Sequence, residues 1–411
     1  MSSHSEDRGP SWLDEIPERL AALQAAHLTR RRRPTRPADG AALWVDGRRL
    51  LAFCSNDYLG LSQVDALKAA ATAGVQRYGV GSGASPMVSG HSEANAALEL
   101  ELAEFAGLER ALYFYAGYAT NASIVPALVG PGDALFSDAL NHACLIDGAR
   151  LSRAAIHRFE HADLAQLDAL LQASPARRKL VISDAVFSMD GDVADIPTLL
   201  ALCERHDALL LLDDAHGFGV CGPQGRGSLA AAGRTGARAS RRVLYMATLG
   251  KAAGVSGAFV AGSDALVEWL LQKTRSYTFA TAAPALLAES VRAAIRVIRD
   301  EPERLARLHR NIATFRAGLP AALAGTGWTL LPSHTAIQAL VIGANEDALR
   351  VMDTLADAGL WVPAIRPPTV PEGTARLRIA LSAAHGPADI DTLLQGLAAA
   401  AQGSGSSARR P

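Results

Sequence analysis

The sequence predicts an α/β fold with a mainly parallel central sheet. Between about residue 60 and residue 290, short apolar segments of strand length alternate with longer segments of helical periodicity. The strand segments are apolar along most of their length, which is typical of parallel strands covered by helices on both faces. A short N-terminal segment precedes this region, and a smaller C-terminal α+β domain is predicted to follow it.

The N-terminal segment comprises residues 1–58 and contains a predicted helix and a predicted hairpin. Apolar residues recur at helical spacing from Trp12 to about Thr29, which indicates an amphipathic helix. The segment LWVDGRRLLAF indicates a hairpin that turns at Asp46-Gly47. Four arginines at 30–33 lie between the two, and a run of this kind is most often a solvated basic turn.

The large domain is predicted to span residues 59–290. Its strand candidates are ALYFY (111–115), ALFSD (134–138), KLVISDAVF (179–187), ALLLLDD (208–214), VLYMAT (243–248) and GAFVAG (257–262). The helix candidates between them include SEANAALELELAEFAG (92–107) and IPTLLALCERHD (196–207). This order of elements favours one sheet with helices on both faces.

A long helical stretch from about Pro284 to Leu319 leads into the smaller domain, which is predicted to span residues 291–400. The other elements of this domain are IQALVIG (337–343), a helix near 345–359, LWVPAIRP (360–367) and ARLRIAL (375–381). Residues 401–411 contain few apolar side chains and are predicted to form a disordered tail.

The composition argues against several classes of protein. The formal net charge is −1, which gives no general electrostatic basis for binding nucleic acid or an anionic membrane. No run of 18 apolar residues is present, so a membrane span is not expected. The polar N-terminus does not match a secretory signal, and the four scattered cysteines suggest neither a disulfide scaffold nor a metal site. We therefore expect a cytoplasmic protein with reduced thiols and no bound metal.

A lysine and a pair of acidic residues follow two of the predicted strands. Lys251 ends the segment TLGK after VLYMAT and is set among small residues, which leave space for a flat ring. Asp213 and His216 lie at the end of ALLLLDD, and ligands of open parallel sheets bind at the carboxyl ends of the strands. An acid there can pair with a protonated pyridine nitrogen, and a histidine three residues on can reach the phenolic oxygen of the ring.

Each of these residues also has a simpler interpretation. Most lysines are surface charges. An Asp-Asp pair can cap a helix or bind Mg²⁺, but the sequence lacks the GxxxxGK[ST] phosphate-binding loop that would accompany such a metal.

Three further segments carry polar groups near predicted strand ends. Gly117 and Tyr118 begin a predicted helix, where backbone N–H groups and the helix dipole favour an anion such as phosphate. His142 could stack on a planar ring, although a capping or packed histidine is equally consistent with its position. Ser188 and the acids near it suit hydrogen bonds to the polar edge of a cofactor. The glycines of 79–85 follow a helix instead of a strand, and they do not match a dinucleotide-binding loop.

Together and in this order, these segments resemble the α-oxoamine synthases, which are fold-type I pyridoxal-phosphate (PLP) enzymes with an aspartate aminotransferase-like fold. The resemblance extends from about Trp12 to Leu397. One departure is Pro86, at a position that often holds arginine in the most similar subfamily. The segments that carry the resemblance are SNDYLGL (55–61), GSGASPMVSGHS (81–92), AGYATN (116–121), NHACLIDGARLS (141–152), DAVFSMDGDVADI (184–196), DDAHGFGVCGPQGRG (213–227) and TLGKAAGVSGAF (248–259).

The resemblance implies a set of catalytic and cofactor-binding residues. Lys251 would form a Schiff base with PLP and later move protons. Asp213 would pair with the pyridine nitrogen and His216 with the phenolic oxygen, while His142 would stack on the ring. The remaining cofactor contacts implied by the resemblance are Gly117, Tyr118, Ser188, Thr248 and, across the interface of a homodimer with shared active sites, Thr281.

The resemblance also implies residues that bind substrate. Asn56 and Arg366 would hold the carboxylate of an amino acid, and His142 would line the same site. Arg30 and Thr369 would contact substrate as well. For Arg30 alone, this role replaces the interpretation as part of a solvated turn.

Members of this family join an amino acid to an acyl thioester with loss of CO₂. The segments GSGASPMVSG, GKAAGVSGA and AIRPPTVPEGTARLR are most similar to those of members that condense L-alanine with pimeloyl-CoA or pimeloyl-acyl carrier protein in biotin biosynthesis. The nearest alternative is another α-oxoamine synthase, such as glycine C-acetyltransferase. A non-catalytic regulatory subunit on the same fold should lack Lys251. A transcription regulator would need more sequence for a DNA-binding module than precedes SNDYLGL.

Overall fold

The computed structural model describes residues 11–405 of the chain. The predicted hairpin is present and turns at Asp46 and Gly47, whose φ angles are +49° and +81°. None of the residues of the first helix is buried, so its apolar side is exposed in the described chain. The elements of this N-terminal segment are α1 (Glu15–Ala25), β1 (Thr35–Pro37), β2 (Ala42–Val45) and β3 (Arg48–Ala52).

A seven-stranded sheet lies at the centre of the molecule. Its strands are β4 (Arg110–Phe114), β5 (Ala134–Asp138), β6 (Ala155–Phe159), β7 (Lys179–Asp184), β8 (Ala208–Asp213), β9 (Val243–Thr248) and β10 (Ala258–Gly262). They lie in the order β4-β10-β9-β8-β7-β5-β6. Strand β10 runs antiparallel to both neighbours, and the other adjacent pairs are parallel. The prediction of a mainly parallel central sheet is confirmed.

Helices cover this sheet, and two clusters of buried apolar side chains fill the space between them. Side chains alternate between the two clusters along a strand, so that Leu135 of β5 enters one cluster and Phe136 enters the other. The helices are α2 (Asp65–Tyr78), α3 (Glu93–Ala106), α4 (Gly117–Leu128), α5 (Ala143–Ser152), α6 (Leu164–Ala173), α7 (Ile196–Arg205), α8 (Ser228–Ala231), α9 (Asp264–Lys273), α10 (Arg275–Thr278) and α11 (Ala285–Asp300).

The predicted strands of the central sheet agree with the structure, but one strand of this sheet was missed. Strands β5 and β9 have the predicted bounds, and the others differ from prediction by a few residues at their ends. Strand β6 was not predicted because its sequence, AIHRF, is not an apolar run. It lies at the edge of the sheet, and Ala155 and Ile156 are exposed there.

The long helix predicted from Pro284 to Leu319 is two helices. The first, α11, ends at Asp300, and the second, α12 (Pro302–Ala322), begins at a proline. Proline lacks the N–H that continues a preceding helix, but its fixed φ suits the first turn of a new one. Helix α12 leads into the smaller domain.

The smaller domain shares a sheet with the N-terminal hairpin. The predicted strand LWVPAIRP is in fact two short strands in different sheets, separated by Pro363. The first pairs in parallel with β3, and the second pairs antiparallel with the last strand. The elements of the domain are β11 (Thr329–Leu330), β12 (Ile337–Gly343), α13 (Asn345–Asp357), β13 (Leu360–Trp361), β14 (Ala364–Ile365), β15 (Ala375–Ala380) and α14 (Pro387–Gly405). The sheet orders are therefore β1-β2-β3-β13 and β11-β12-β15-β14.

The last helix continues into the predicted disordered tail. Helix α14 ends at Gly405, so residues 401–405 are helical and do not belong to such a tail. The rest of the predicted tail, residues 406–411, lies outside the described residues, as do residues 1–10. Within residues 11–405, no helix combines the length and apolar character that crossing a bilayer requires.

Candidate active site

The carboxyl ends of four parallel strands meet at one edge of the central sheet. Asp138 ends β5, Asp184 ends β7, Asp213 ends β8 and Thr248 ends β9. All three aspartates are buried. Buried carboxylates are costly unless cations or hydrogen-bond donors accompany them. The residues around these strand ends supply both.

Asp213 accepts two hydrogen bonds. Asn121 Nδ2 donates to Oδ2 at 2.5 Å, and the backbone N–H of Ala215 donates to Oδ1 at 2.9 Å. Asn121 is fully buried on α4, so the position of the carboxylate is fixed from that helix. The next residue, Asp214, accepts instead from Ser228 N at 2.7 Å and Ser228 Oγ at 2.6 Å. The two adjacent acids therefore have different partners. Asp213 contacts residues of the site, and Asp214 accepts hydrogen bonds from the first residue of α8.

Lys251 lies in the turn that follows β9, and its Nζ donates to Thr248 Oγ1 at 3.1 Å. Burial lowers the pKa of Lys251, whereas the negative charges of Asp213 and Asp184 oppose that shift. The small residues after the lysine allow a close approach to the sheet. A Cβ at Gly257, where φ is +96°, would lie 2.7 Å from a carbonyl oxygen of β4.

Asp184 gives the site a second buried carboxylate. It accepts a hydrogen bond from the backbone N–H of His142 at 2.6 Å. Burial, and then the neighbouring charge of Asp213, raise the pKa of Asp184, while Lys251 acts in the opposite direction. Two carboxylates beside one lysine carry more negative than positive charge, so a further cation, such as a protonated ring, would be stabilised here.

His216 connects the end of β8 to the N-terminal part of the chain. It is buried, and its Nδ1 lies 2.7 Å from Tyr58 Oη. Tyr58 Oη also lies 3.1 Å from Asn56 Oδ1. Burial, together with the positive charges of Lys251 and Arg378, holds the pKa of His216 well below its ordinary value. The imidazole is therefore neutral at neutral pH.

The arginine beside Asn56 is Arg378, and not Arg366 as predicted. Arg378 Nη1 donates to Asn56 Oδ1 at 3.2 Å, and its Nε donates to the carbonyl oxygen of Ser188 at 2.6 Å. Arg366 instead lines a cavity of about 620 Å³ together with Arg30. The geometry favours Arg378 over Arg366 as the residue that holds a carboxylate next to Asn56.

Two helices begin next to the strand ends. Gly117 is the first residue of α4, and a Cβ there would lie 2.6 Å from Thr248 Cγ2, so this close approach requires glycine. His142 caps α5 by accepting from the N–H of Cys144 at 3.2 Å, which agrees with the simpler interpretation of this histidine. Its ring also meets the ring of Tyr118 edge-on, with centroids 6.4 Å apart. His142 and Tyr118 are both exposed, so a planar group can still reach them.

Three residues implied by the resemblance line cavities of their own. Thr281, Thr369 and Arg30 are all exposed, and each contributes to a different cavity. Lys251 and Asp213 are not among the residues that line these cavities. The three residues therefore share none of these cavities with one another or with the lysine.

Some residues that contact the site were not predicted. The sequence does contain an indication of Arg378, because Arg376 and Arg378 alternate with apolar residues in a predicted strand, and this strand is buried throughout. Buried arginines need partners, so such a strand indicates a site. Asn121 and Tyr58 gave no comparable signal, because their partners Asp213 and His216 lie 92 and 158 residues away in the sequence.

The fold and this arrangement of residues match a known family. The family model described as aminotransferase class I and II matches residues 48–397. The chain belongs to this family. Within it, a relative from Paracidovorax citrulli named 8-amino-7-oxononanoate synthase is 72% identical over 389 residues, which is 95% of this chain and 94% of the relative. A relative of the same name from Delftia acidovorans is 72% identical over 391 residues, covering 94% of this chain and 96% of its own.

Solved structures support the same fold. The serine palmitoyltransferase of Sphingomonas wittichii has a TM-score of 0.89 at 28% identity, covering 97% of this chain and 100% of that chain. The 8-amino-7-oxononanoate synthase of Francisella tularensis has a TM-score of 0.74 at 28% identity. The match covers 86% of this chain and 98% of that chain. The predicted fold class, a fold-type I transferase with an aspartate aminotransferase-like fold, is confirmed.

Proposed function

We propose that this chain is a PLP-dependent acyltransferase with the activity of 8-amino-7-oxononanoate synthase. The reaction condenses L-alanine with a pimeloyl thioester and yields 8-amino-7-oxononanoate, CO₂ and the free thiol, a step of biotin biosynthesis. The observation that carries the proposal is the partly buried Lys251, whose amine is influenced by the charges of Asp213 and Asp184, in a chain that is 72% identical to a relative of that name over 95% of its length.

The residues at the strand ends fit PLP. Lys251 offers an amine for covalent attachment, and Asp213 offers a carboxylate to the pyridine nitrogen. His216 is assigned to the phenolic oxygen, and His142 to one face of the ring. The start of α4 at Gly117 offers backbone N–H groups to the phosphate. When bound, PLP supplies an electron sink that stabilises negative charge on the α-carbon of the substrate.

Four further residues are assigned to the same cofactor. Thr248 already holds the lysine amine at 3.1 Å, so it sets the position from which Lys251 reaches PLP. Ser188 is fixed through its carbonyl oxygen by Arg378. Tyr118 lies next to Gly117 at the helix start, where it supports binding of the phosphate region. Thr281 is assigned to the phosphate of the other subunit.

Lys251 is assigned the transfer of the α-proton of alanine. A lysine with the ordinary pKa of about 10.4 is almost fully protonated at neutral pH and is a poor base. Burial lowers the pKa of Lys251, which increases the fraction of free amine. The hydrogen bond to Thr248 Oγ1 orients that amine.

The substrates are assigned to two neighbouring regions. Asn56 and Arg378 are assigned to the carboxylate of alanine, because they contact each other at 3.2 Å beside Ser188. Arg30 and Arg366, which line the same cavity, are assigned to the negatively charged acyl thioester. Thr369 is assigned to the same substrate, and its N–H donates to the carbonyl oxygen of Arg366 at 3.1 Å.

The proposed active form is a homodimer in the cytoplasm. Thr281 is exposed and lines a cavity that does not include Lys251, which supports its assignment to the phosphate of a second subunit. The cytoplasm suits the four cysteines, which are all free thiols in the described chain.

A product assay tests the reaction directly. The purified protein is loaded with PLP and incubated with alanine, glycine or serine and with pimeloyl-CoA, pimeloyl-acyl carrier protein, acetyl-CoA or a long-chain acyl-CoA. We expect 8-amino-7-oxononanoate by mass spectrometry from alanine and a pimeloyl thioester. Turnover of glycine with acetyl-CoA, and none of alanine, would instead identify a glycine C-acetyltransferase. No product from any pair would contradict the proposal.

Replacing the lysine tests the cofactor assignment. We expect Lys251→Ala to lose covalent PLP, which borohydride reduction followed by peptide mass spectrometry detects, and to lose product formation. Lys273→Ala serves as the matched control, since this lysine lies on α9 over the ring of Trp269. Covalent PLP retained in Lys251→Ala would contradict the assignment.

A further inference from the structure

A histidine outside the proposed active site joins two of the segments that build it. His161 lies in the turn between β6 and α6. Its Nδ1 is 3.0 Å from Asp138 Oδ1, and its Nε2 is 2.8 Å from Asp192 Oδ2. The histidine side chain is 27% exposed, and that of Asp138 is 3% exposed. Both ring nitrogens are therefore engaged by carboxylates, of which Asp138 is buried and Asp192 is partly exposed.

The hydrogen-bond pattern defines the charge of this ring. An ionised carboxylate only accepts hydrogen bonds, so a ring bound to two carboxylates must donate from both nitrogens. Only the imidazolium form of His161 can do so. The hydrogen bonds with Asp138 and Asp192 raise the pKa of His161 to about 10, against the effect of burial. The ring is therefore a fixed cation at neutral pH.

One of the two carboxylates organises the segment that carries His142. Asp138 ends β5 and accepts from the backbone N–H of Leu140 at 2.8 Å and from that of Ala162 at 3.0 Å. The chain between Asp138 and His142 is thus bound to the turn that contains His161.

The other carboxylate belongs to the loop after β7, which carries Ser188. The loop is closed by a hydrogen bond from Phe187 N to the carbonyl oxygen of Asp192 at 3.0 Å. The ring of Phe187 also meets that of His161 edge-on, with centroids 4.4 Å apart. In the described chain, Asp192 Oδ1 is a buried oxygen without a hydrogen-bond partner. His161 is therefore the cationic partner of this carboxylate group.

The smaller domain holds the same loop from its other side. Ser333 Oγ and Thr335 Oγ1 donate to the carbonyl oxygen of Gly191 at 2.8 Å and 3.0 Å. Arg376 forms an ion pair with Asp190. The loop thus contacts the smaller domain through Ser333, Thr335 and Arg376. On its other side, His161 connects it to Asp138 at the end of a central strand.

We propose that His161 is a positioning residue whose imidazolium cross-links Asp138 to Asp192 and fixes His142 and Ser188 relative to each other. The inference rests on the proposed function, in which these two residues contact PLP. His161 itself contacts neither cofactor nor substrate. Without the cation, no positive charge would lie between the carboxylates of Asp138 and Asp192, and the link between the two segments through His161 would be lost.

The experiment compares two variants with the wild-type enzyme. The first is His161→Gln, which removes the cation. The second is His161→Gln with Asp192→Asn, which also removes one of the two negative charges left unpaired. We expect the apo form of His161→Gln to bind PLP about tenfold more weakly, since a charge-assisted hydrogen bond is lost on each side. The double variant should recover part of this loss and bind PLP about as well as Asp192→Asn alone, because the cross-link is still absent but one of the two negative charges is gone. The PLP dissociation constant is measured by titration of the apo protein, without substrate.

A matched control separates positioning from general stability. His206 also forms a partly buried contact with an aspartate, Asp168, through Nε2. His206→Gln should lower the unfolding temperature but leave the PLP dissociation constant unchanged. Wild-type PLP affinity in a folded His161→Gln variant, or no recovery in the double variant, would overturn the proposal.

If His161→Gln does not fold, a milder substitution tests the same proposal. Asp192→Asn alone keeps the contact between His161 and Asp138, and it should still weaken PLP binding several-fold while altering KM for alanine more than kcat. Unchanged PLP affinity in this variant would overturn the proposal. Failure of the proposed function can be told apart from failure of this positioning role. If the proposed function were wrong, the wild-type enzyme would form no product, but the PLP affinities of the variants could still be compared.

Discussion

At the scale of single residues, the site is organised by charges that are buried close together. Asp184 and Asp213 are direct partners in adjacent parallel strands, so their carboxylates repel each other. Lys251 reduces that repulsion, and burial in turn lowers the pKa of the lysine. The arrangement is therefore stabilised by one more positive charge, which explains why it suits a cationic ring.

Asp213 is the residue whose charge matters most for this interpretation. We expect Asp213→Asn to keep covalent PLP but to lower kcat roughly 100-fold or more, because a preorganised charge at the ring nitrogen is lost. Steady-state assays and the borohydride test measure the two effects separately. Asp214→Asn is the control, since Asp214 bonds to Ser228 and should affect stability more than turnover. Wild-type turnover in Asp213→Asn would show that the ring charge is held in another way.

The two arginines assigned to different substrates can be separated by kinetics. We expect Arg378→Lys to raise KM for alanine about tenfold or more, because lysine cannot reproduce the contacts with Asn56 and Ser188. Arg366→Lys should raise KM for the pimeloyl thioester and leave KM for alanine unchanged. The reverse result would restore the assignment of Arg366 to the amino-acid carboxylate.

At the scale of elements, the strands of the central sheet were predictable and their irregular surroundings were not. Fully apolar runs such as ALFSD define a buried strand whichever helices cover it. Strand β6 was missed because an edge strand keeps one side in water and needs no apolar run. The division of LWVPAIRP between two sheets depends on partners that are far away in the sequence.

Helix α3 contains a partly buried acid that links it to two other elements. Glu99 Oε1 accepts from the backbone N–H of Tyr113 in β4 at 2.9 Å and from Tyr277 Oη in α10 at 3.4 Å. Burial raises the pKa of Glu99 to about 7. The folded state therefore holds this proton more tightly than the unfolded chain does, and stability attributable to Glu99 is lost as the pH rises through about 7.

Substitution of this acid should change the pH dependence of stability. Glu99→Gln is neutral at every pH, so its free energy of unfolding should exceed that of wild type by an amount that grows from about pH 5 to about pH 8, to on the order of 2 kcal/mol. Urea denaturation of both proteins across this range measures the difference. A constant difference across the range would show that Glu99 does not titrate there.

At the scale of the whole molecule, three exposed apolar side chains are consistent with the proposed homodimer. Val80, Val88 and Phe279 are between 71% and 80% exposed. The segment 80–88 and the segment 279–282 are joined, since Ala282 N donates to the carbonyl oxygen of Ala84 at 3.0 Å. These three side chains, called the apolar surface below, therefore lie on two joined segments, one of which carries Thr281.

Charges placed on this surface should oppose dimer formation. We expect wild-type protein to sediment as a dimer, and Val88→Asp with Phe279→Asp to shift it towards monomer and to weaken PLP binding. Analytical ultracentrifugation across a range of concentrations measures the first effect, and titration of the apo protein measures the second. Leu100→Asp, at an exposed leucine of α3, is the control. A wild-type monomer that is fully active would contradict the dimer.

The sequence by itself determined the α/β class and the mainly parallel sheet, and it placed Lys251 and the Asp213–His216 segment at the ends of predicted strands. This is because apolar runs and the residues that follow them are local features of the chain, which can be recognised without knowing their distant partners. Only the tertiary structure decided that Arg378 and not Arg366 lies beside Asn56, that Asn121 holds the Asp213 carboxylate, and that His161 joins two loops. Each of these depends on contacts between residues far apart in the sequence, which form only when the sheets and domains are assembled.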